Sequence, residues 1–102
     1  MLLLNVTYTM KPGMRDTFLK EVQAQGILDA VRQEDGCLQY AYYLPAEEDD
    51  TLLLVERWRD RAAQQAHLTT PHMAALGKIK ADCVVDTQIV SGTAEELSLI
   101  HI

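Results

Sequence analysis

Two histidines flank a Thr-Thr-Pro break in the stretch RAAQQAHLTTPHMAAL, and their chemistry suits proton transfer. The unperturbed pKa of histidine lies near neutrality, so a modest change of environment lets an imidazole take or give a proton. His67 is predicted to line a pocket beside small alanines and to act as the catalytic base. The alternative is a histidine packed at a helix end and bonded to a backbone carbonyl. His72, second in a new helix, is predicted to contact the substrate or to support the helix start.

The spacing of the two histidines argues against a metal site. On one continuous helix, residues five positions apart lie about 140° apart around the axis, unlike a chelating pair four positions apart. Cys37 and Cys83 form no close-spaced motif, and His101 lies far off near the end of the sequence. The sequence also contains no phosphate loop and no flavin fingerprint. We therefore expect neither a metal nor a cofactor.

Three further residues are predicted to contact a substrate. Asn5 is a polar exception in an apolar strand, where it needs a partner such as a ligand, or a hydrogen bond at a sheet edge or dimer interface. Tyr40 carries a phenol that can donate to a substrate oxygen, although tyrosine is also common as strand-favouring bulk. Trp58 ends the segment LLLVERW and is predicted to form a cavity wall or part of the core.

A sheet with helices must position these side chains. Strands are predicted at residues 2–10, 37–44, 51–58 and 83–90, either because apolar residues alternate with polar ones or because the residues form a short apolar run. Helical spacing predicts helices from Met14 to about Glu34 with a bend at Gly26, from the cap Asp60 through Leu68, and from Pro71 to about Asp82. The order β-α-β-β-α-β, with the second helical region split, predicts a ferredoxin-like α+β fold: an antiparallel sheet with helices on one face.

Both faces of this sheet are apolar in sequence. Leu52 and Leu54 alternate with Leu53 and Val55 in the third strand. Helices cover only one face, and an antiparallel sheet with one wet face should alternate cleanly. The pattern therefore predicts a homodimer whose sheets pack face to face. The alternative is that leucine is simply common in short strands.

Composition narrows the partners and the cellular location. The chain has 102 residues and a net charge of −6, and it lacks a basic cluster, so nucleic acid and anionic membranes are poor partners. The sequence has no long apolar run, so we expect no membrane span and no signal peptide. Two isolated cysteines fit a reduced, cytoplasmic protein. We expect one domain over residues 1–92 and a tail over 93–102, which either adds an edge strand or hangs loose.

Four motifs occur in order: KPG, EDGCLQY, LLLVERW and AHLTTPHM. Together they resemble the antibiotic biosynthesis monooxygenase family of small dimeric α+β barrel proteins, over roughly Leu2 to Val90. AHLTTPHM is most similar to the quinol monooxygenase and autoinducer-2 phosphate processing branch. In haem-degrading relatives a functional tryptophan occupies the position of His67, so the resemblance implies that His67 lines the cavity. The position that matches their iron-ligating histidine falls near Gly77, within MAALGKIK. No histidine occurs in this segment, which disfavours haem degradation.

The resemblance implies a cofactor-independent monooxygenase that acts on a small quinol-like or phenolic aromatic substrate with molecular oxygen. An electron-rich phenolate can reduce oxygen itself, so the protein needs only to remove a proton, orient the ring and exclude water. Two alternatives stay open. One is an isomerase or processing enzyme for a phosphorylated signalling sugar, which Arg57 or Arg59 in the cavity would favour. The other is a non-catalytic small-ligand-binding stress protein.

Overall fold

A four-stranded antiparallel sheet carries all helices of residues 1–95, the part of the chain that the computed structural model describes. The elements are β1 (Leu2–Met10), α1 (Arg15–Ala24), α2 (Ile27–Arg32), β2 (Cys37–Tyr43), β3 (Thr51–Trp58), α3 (Arg61–His67), α4 (Pro71–Cys83) and β4 (Val84–Thr93). The strand order is β2-β3-β1-β4, with every neighbouring pair antiparallel. The predicted ferredoxin-like fold is confirmed.

Alternation along β1 and β3 defines the core between the sheet and the helices. The side chains of β1 that face the helices are buried, and they are Leu2, Leu4, Val6, Tyr8 and Met10. Those of β3 are Leu52, Leu54, Glu56 and Trp58. The register of the two strands explains why both buried sets lie on one face of the sheet. Val6 pairs with Leu54 and Leu4 with Glu56, and paired residues point to the same face. One glutamate thus lies inside an otherwise apolar layer.

The first helical region consists of two helices and not of one bent helix. Gly26 has a φ of 66°, a left-handed conformation that favours glycine, and it separates α1 from α2. The prediction of a helix from Met14 to about Glu34 was wrong in this respect. The second helix ends at Arg32, and Glu34 enters the turn before β2.

The second helical region is split as predicted. The Asp60 carboxylate accepts a hydrogen bond of 2.9 Å from the Ala63 amide and caps α3. Pro71 starts α4, where its missing N–H removes no helical hydrogen bond. Between the helices, the Thr70 hydroxyl donates to the His67 carbonyl over 2.9 Å. This corner turns the chain immediately after His67.

The last strand extends further than the sequence pattern indicates. Ser91 and Gly92 were expected to end it after Val90, but they continue the pairing with β1, and β4 ends at Thr93. The predicted tail lies outside the described residues from position 96 onward. No helix within residues 1–95 is long and apolar enough to cross a membrane.

No element of residues 1–95 covers the sheet face opposite the helices, which we call the open face. It presents Leu3, Leu53 and Val55, all half-buried, together with the exposed Asn5 and Arg57. The helix-facing side therefore forms the core of this chain, whereas the open face mixes apolar and polar groups.

Candidate functional site

His67 lies at the centre of the interior and ends α3. His67 is 1% exposed, and its ring contacts two aromatic side chains from the sheet. The ring centroids of His67 and Trp58 are 4.6 Å apart, and those of His67 and Tyr40 are 5.6 Å apart in an edge-on arrangement. The structure therefore brings together three of the predicted site residues, His67, Trp58 and Tyr40.

Glu34 joins the two histidines through a single oxygen. Its Oε2 lies 2.8 Å from Nδ1 of His67 and 2.8 Å from Nε2 of His72. An ionised carboxylate only accepts hydrogen bonds, so both facing ring nitrogens carry protons. In a neutral His67 this tautomer leaves Nε2 without a proton, which is the form that a base requires. His72 supports the same carboxylate and does not touch the aromatic cluster directly.

The break between α3 and α4 explains why the two histidines meet. The estimate of about 140° around a helix axis assumed one continuous helix. His67 instead ends α3, and His72 lies in the first turn of α4 after the corner at Thr70. Their imidazoles therefore converge on Glu34, and the three potential ligand atoms lie within 4.8 Å of one another. Two imidazole nitrogens and one carboxylate oxygen are suitable ligands for a divalent metal.

A second carboxylate, that of Glu56, is buried beside Trp58. The indole Nε1 donates a hydrogen bond of 3.0 Å to Oε1 of Glu56. Burial raises the pKa of Glu56, although the Trp58 hydrogen bond and the nearby His67 and Lys80 oppose the rise. Burial also lowers the pKa of Lys80, whose ammonium lies 5.3 Å from the centre of the Tyr8 ring. Trp58 thus contacts both Glu56 and His67.

Three buried phenols line the same interior. Burial raises the pKa of Tyr8, Tyr40 and Tyr42 well above the ordinary tyrosine value, so all three remain neutral donors at physiological pH. Tyr42 packs between Phe18 and Tyr40, with ring centroids 5.8 and 6.3 Å away. Its hydroxyl oxygen is buried and makes no well-aligned hydrogen bond within residues 1–95, although the Tyr40 phenol is close enough to affect its pKa. A buried polar group of this kind is available to a ligand oxygen.

The remaining sequence candidates lie elsewhere. Asn5 is exposed on the open sheet face, opposite to His67, and pairs with Val55. Arg57 is exposed on the same open face. Arg59 forms two hydrogen bonds of 3.1 Å with the Asp35 carboxylate and points to solvent. None of the three joins the cluster around His67.

Two depressions are each lined by one residue of this interior, Tyr42 in one and Glu34 in the other. The larger, about 430 Å³, opens between α1, α2 and the edge strand β2. It is lined mainly by apolar groups with Arg32 and Asp29 at its rim, and Tyr42 forms part of its wall. The smaller, about 380 Å³, is lined by Glu34 and by Ala62, Ala63 and Ala66. The alanines were predicted to leave space beside the imidazole, and the space lies beside Glu34.

Sequence reasoning missed Glu34 and Glu56 as members of the site. Glu56 could have been found, because strand alternation places its charge on the apolar face between Leu54 and Trp58. Glu34 carries no local signal, since its partners are 33 and 38 residues away. Only the folded chain shows that this turn residue connects both histidines.

Comparison with known proteins agrees with the fold and the motifs. The sequence profile of the antibiotic biosynthesis monooxygenase family matches residues 1–78. The chain is 35% identical over 72 residues to a Bacillus subtilis protein named "Putative monooxygenase YcnE". The aligned region covers 71% of this chain and 74% of the Bacillus protein.

Solved structures show the same architecture. PA3566 from Pseudomonas aeruginosa is 26% identical, with 93% of this chain and 94% of that chain covered and a TM-score of 0.82. A structure described as an antibiotic biosynthesis monooxygenase is 28% identical, with 94% and 100% covered and a TM-score of 0.80. Fold, motif order and sequence profile agree, and this chain belongs to the antibiotic biosynthesis monooxygenase family.

Proposed function

We propose that the protein is a cofactor-independent monooxygenase that inserts oxygen into a small quinol-like or phenolic aromatic substrate, with His67 as the base. The observation that carries the proposal is the pairing of the buried His67 with Glu34 at 2.8 Å. A carboxylate behind an imidazole fixes the tautomer and stabilises the imidazolium that forms when the base accepts a proton. Family membership supports the reaction class.

Proton removal starts the proposed reaction. Nε2 of His67 accepts the phenolic proton, and Glu34 stabilises the resulting positive charge from the opposite side of the ring. General acid–base groups of this kind typically contribute about 10²–10⁴-fold to a rate. Tyr40 stays protonated because its pKa is raised by burial, so it serves as a donor to a substrate oxygen and not as a second base.

Oxygen then reacts with the phenolate itself. One oxygen atom enters the ring as a new carbonyl, the other leaves as water, and the phenol is oxidised to a quinone. The balance is one phenol plus one O₂ giving one quinone plus one water, so the substrate supplies all the electrons. The aromatic and aliphatic walls around His67 exclude water from this step.

The depression between α1, α2 and β2 offers a path for the substrate. Its apolar lining suits an aromatic ring, and the Arg32 cation at its rim suits a phenolic or phenolate oxygen. Tyr42 in its wall has a hydroxyl without a well-aligned partner in residues 1–95, and the Tyr40 ring contacts both Tyr42 and His67. A ring that enters here and displaces side chains toward Tyr40 would come within reach of the imidazole.

Oxygen uptake tests the proposal. Purified protein without added flavin, haem or metal is assayed against a panel of hydroquinones and naphthols that were first selected by thermal shift. We expect uptake with at least one compound and a loss of about 10²–10⁴-fold in kcat for His67→Asn. Circular dichroism confirms that the variant folds, and Glu47→Gln, in an exposed loop, serves as the control. No uptake with any compound, or an undiminished rate in the folded variant, would overturn the proposal.

Assembly and location form a second part of the proposal. We infer a homodimer through the open sheet face, because Leu3, Leu53 and Val55 lie together there and no element of residues 1–95 covers them. The exposed Asn5 then favours the alternative of a hydrogen bond at the interface over a substrate contact. Free thiols at Cys37 and Cys83 support a reducing, cytoplasmic location, and the domain boundary near residue 92 stays a prediction.

The sugar-processing alternative has less support. The two arginines that were expected to bind its phosphate lie away from the interior, and Arg32 is the cation that lines the larger depression. Arg57 lies on the open face, and Arg59 is engaged by Asp35 at the surface. The pairing of the buried His67 with Glu34 also disfavours a purely ligand-binding stress protein, because such a protein does not need a proton acceptor in its interior.

A further inference from the structure

We propose that Glu34, His67 and His72 form a binding site for a divalent transition metal ion, with zinc as the best match. The potential ligand atoms are Oε2 of Glu34, Nδ1 of His67 and Nε2 of His72. They lie within 4.8 Å of one another, and the two nitrogen–oxygen distances are 2.8 Å. The site sits at the junction of α3, α4 and the turn before β2.

The ligand chemistry selects the metal. Two histidines and one glutamate are a ligand set of zinc sites that keep a fourth position open. Atoms bound to one tetrahedral zinc at about 2.0–2.1 Å stand roughly 3.3–3.4 Å apart. The oxygen must therefore move away from each nitrogen by about half an ångström, and the two nitrogens, which lie within 4.8 Å of each other, must come closer together. Imidazole nitrogens disfavour calcium and magnesium, which prefer oxygen ligands.

The surroundings provide access and a place for a fourth ligand. Side-chain exposure is 13% for Glu34 and 22% for His72, so an ion can reach these two groups from solvent. The depression of about 380 Å³ beside Glu34 has room for a water or small anion. His67 is 2% exposed at its side chain and closes the inner side. The arrangement is a partly open site and not a surface pair of histidines.

A bound ion changes the proton on His67. Without metal, Nδ1 donates to Glu34 and Nε2 is free to accept a proton. With metal on Nδ1, a neutral imidazole carries its proton on Nε2, and this nitrogen can no longer act as a base. Zinc should therefore inhibit turnover at the site. This consequence rests on the proposed function, whereas the binding site itself does not.

Titration of the protein with Zn²⁺ and with Co²⁺ tests the site. Tag-free protein is treated with chelator, dialysed and titrated by calorimetry with Zn²⁺, while Co²⁺ reports the ligand geometry by visible absorption. We expect one ion per chain. Glu34→Gln and His72→Ala should each weaken binding by at least ~10-fold, and the double variant should bind no ion at this site. Both replaced residues are partly exposed, and circular dichroism verifies their fold.

Three outcomes would overturn the proposal. The first is a wild-type dissociation constant above about 1 mM, which corresponds to weak, non-specific binding. The second is equal affinity in wild type and both variants, which would assign the ion to another location. The third is an unchanged affinity in a folded His67→Asn variant, which would exclude Nδ1 of His67 as a ligand. Glu47→Gln is the carboxylate control and should bind as wild type does. A protein that shows no turnover but binds one ion still supports the site.

Discussion

The indole of Trp58 stacks at a tilt of 39° against the imidazole of His67 and donates its N–H to Glu56. One aromatic side chain therefore contacts two ionisable groups of the interior, the histidine through its ring face and the carboxylate through its nitrogen. Glu56 is 7% exposed, and this hydrogen bond satisfies one of its oxygens. The consequences for stability follow from the pKa of Glu56.

Glu56→Gln should change how stability depends on pH. The folded-state pKa of Glu56 is raised by burial above the ordinary value of 4.5, while Trp58, His67 and Lys80 oppose the rise. As the pH rises above about 4.5, the unfolded chain releases this proton before the folded chain does, so wild-type stability falls. Glutamine does not titrate. We expect the stability of Glu56→Gln relative to wild type to improve between about pH 4 and pH 7.

Urea unfolding at both pH values measures this difference. Glu47→Gln, in an exposed loop, is the matched control and should not alter the difference between the two conditions. A relative stability of Glu56→Gln that stays constant or declines over this range would contradict the assignment of Glu56 as a carboxyl with a raised pKa.

Gly36→Ala should destabilise the fold more than Gly26→Ala. Both glycines have positive φ, 82° and 66°, so alanine strains the backbone at each position by about 1 kcal/mol. A Cβ at Gly36 would also lie 2.5 Å from Cβ of Ala63, whereas a Cβ at Gly26 would meet no atom within 4 Å. Overpacking of this kind adds about 1–3 kcal/mol.

A double variant separates the clash from the strain. Gly36→Ala combined with Ala63→Gly removes the close contact, and chemical denaturation should show a smaller loss than the sum of the two single variants. Strict additivity would indicate that α3 does not lie as close to this turn as described. The comparison matters for the site, because Gly36 follows Glu34 by two residues and α3 carries His67.

Val55→Glu should convert the proposed homodimer into a monomer. Val55 is half-buried at the open face beside Leu3 and Leu53, and an interface there would bury the introduced carboxylate without a partner. Leu4 is unsuitable for this test because it faces the helices in the core. Sedimentation at micromolar concentration measures the assembly state. A wild-type monomer, or a dimer that tolerates Val55→Glu while Glu47→Lys behaves as wild type, would remove the sheet-to-sheet proposal.

Local patterns predicted most of the fold. Alternation and apolar runs predicted β1 and β3 with the observed boundaries, and the caps at Asp60 and Pro71 located α3 and α4. Two boundaries were missed. A continuous amphipathic pattern indicated only a bend at Gly26, where the left-handed backbone separates two helices, and the pairing of Gly92 with Leu3 extended β4 through residues that resemble a turn.

The candidate site was predictable only in part. His67, Trp58 and Tyr40 could be assigned to the interior, because strand alternation and motif resemblance each concern neighbouring residues. The Glu34 contacts depend on how three separate segments meet, and helical spacing even argued against the meeting of His67 and His72. Asn5 shows the complementary problem, since its face is set by register and not by its polarity.

The brevity of α3 links its motions to the exposure of His67. A helix of seven residues does not persist alone in water, so α3 depends on the Asp60 cap, on the Gly36 contact and on the anchoring of His67. Opening of this segment therefore requires less free energy than global unfolding. The same opening withdraws the imidazole from Trp58 and Glu34. A ligand that needs an uncovered His67 would shift this local equilibrium, and its measured affinity would include the free energy of opening α3.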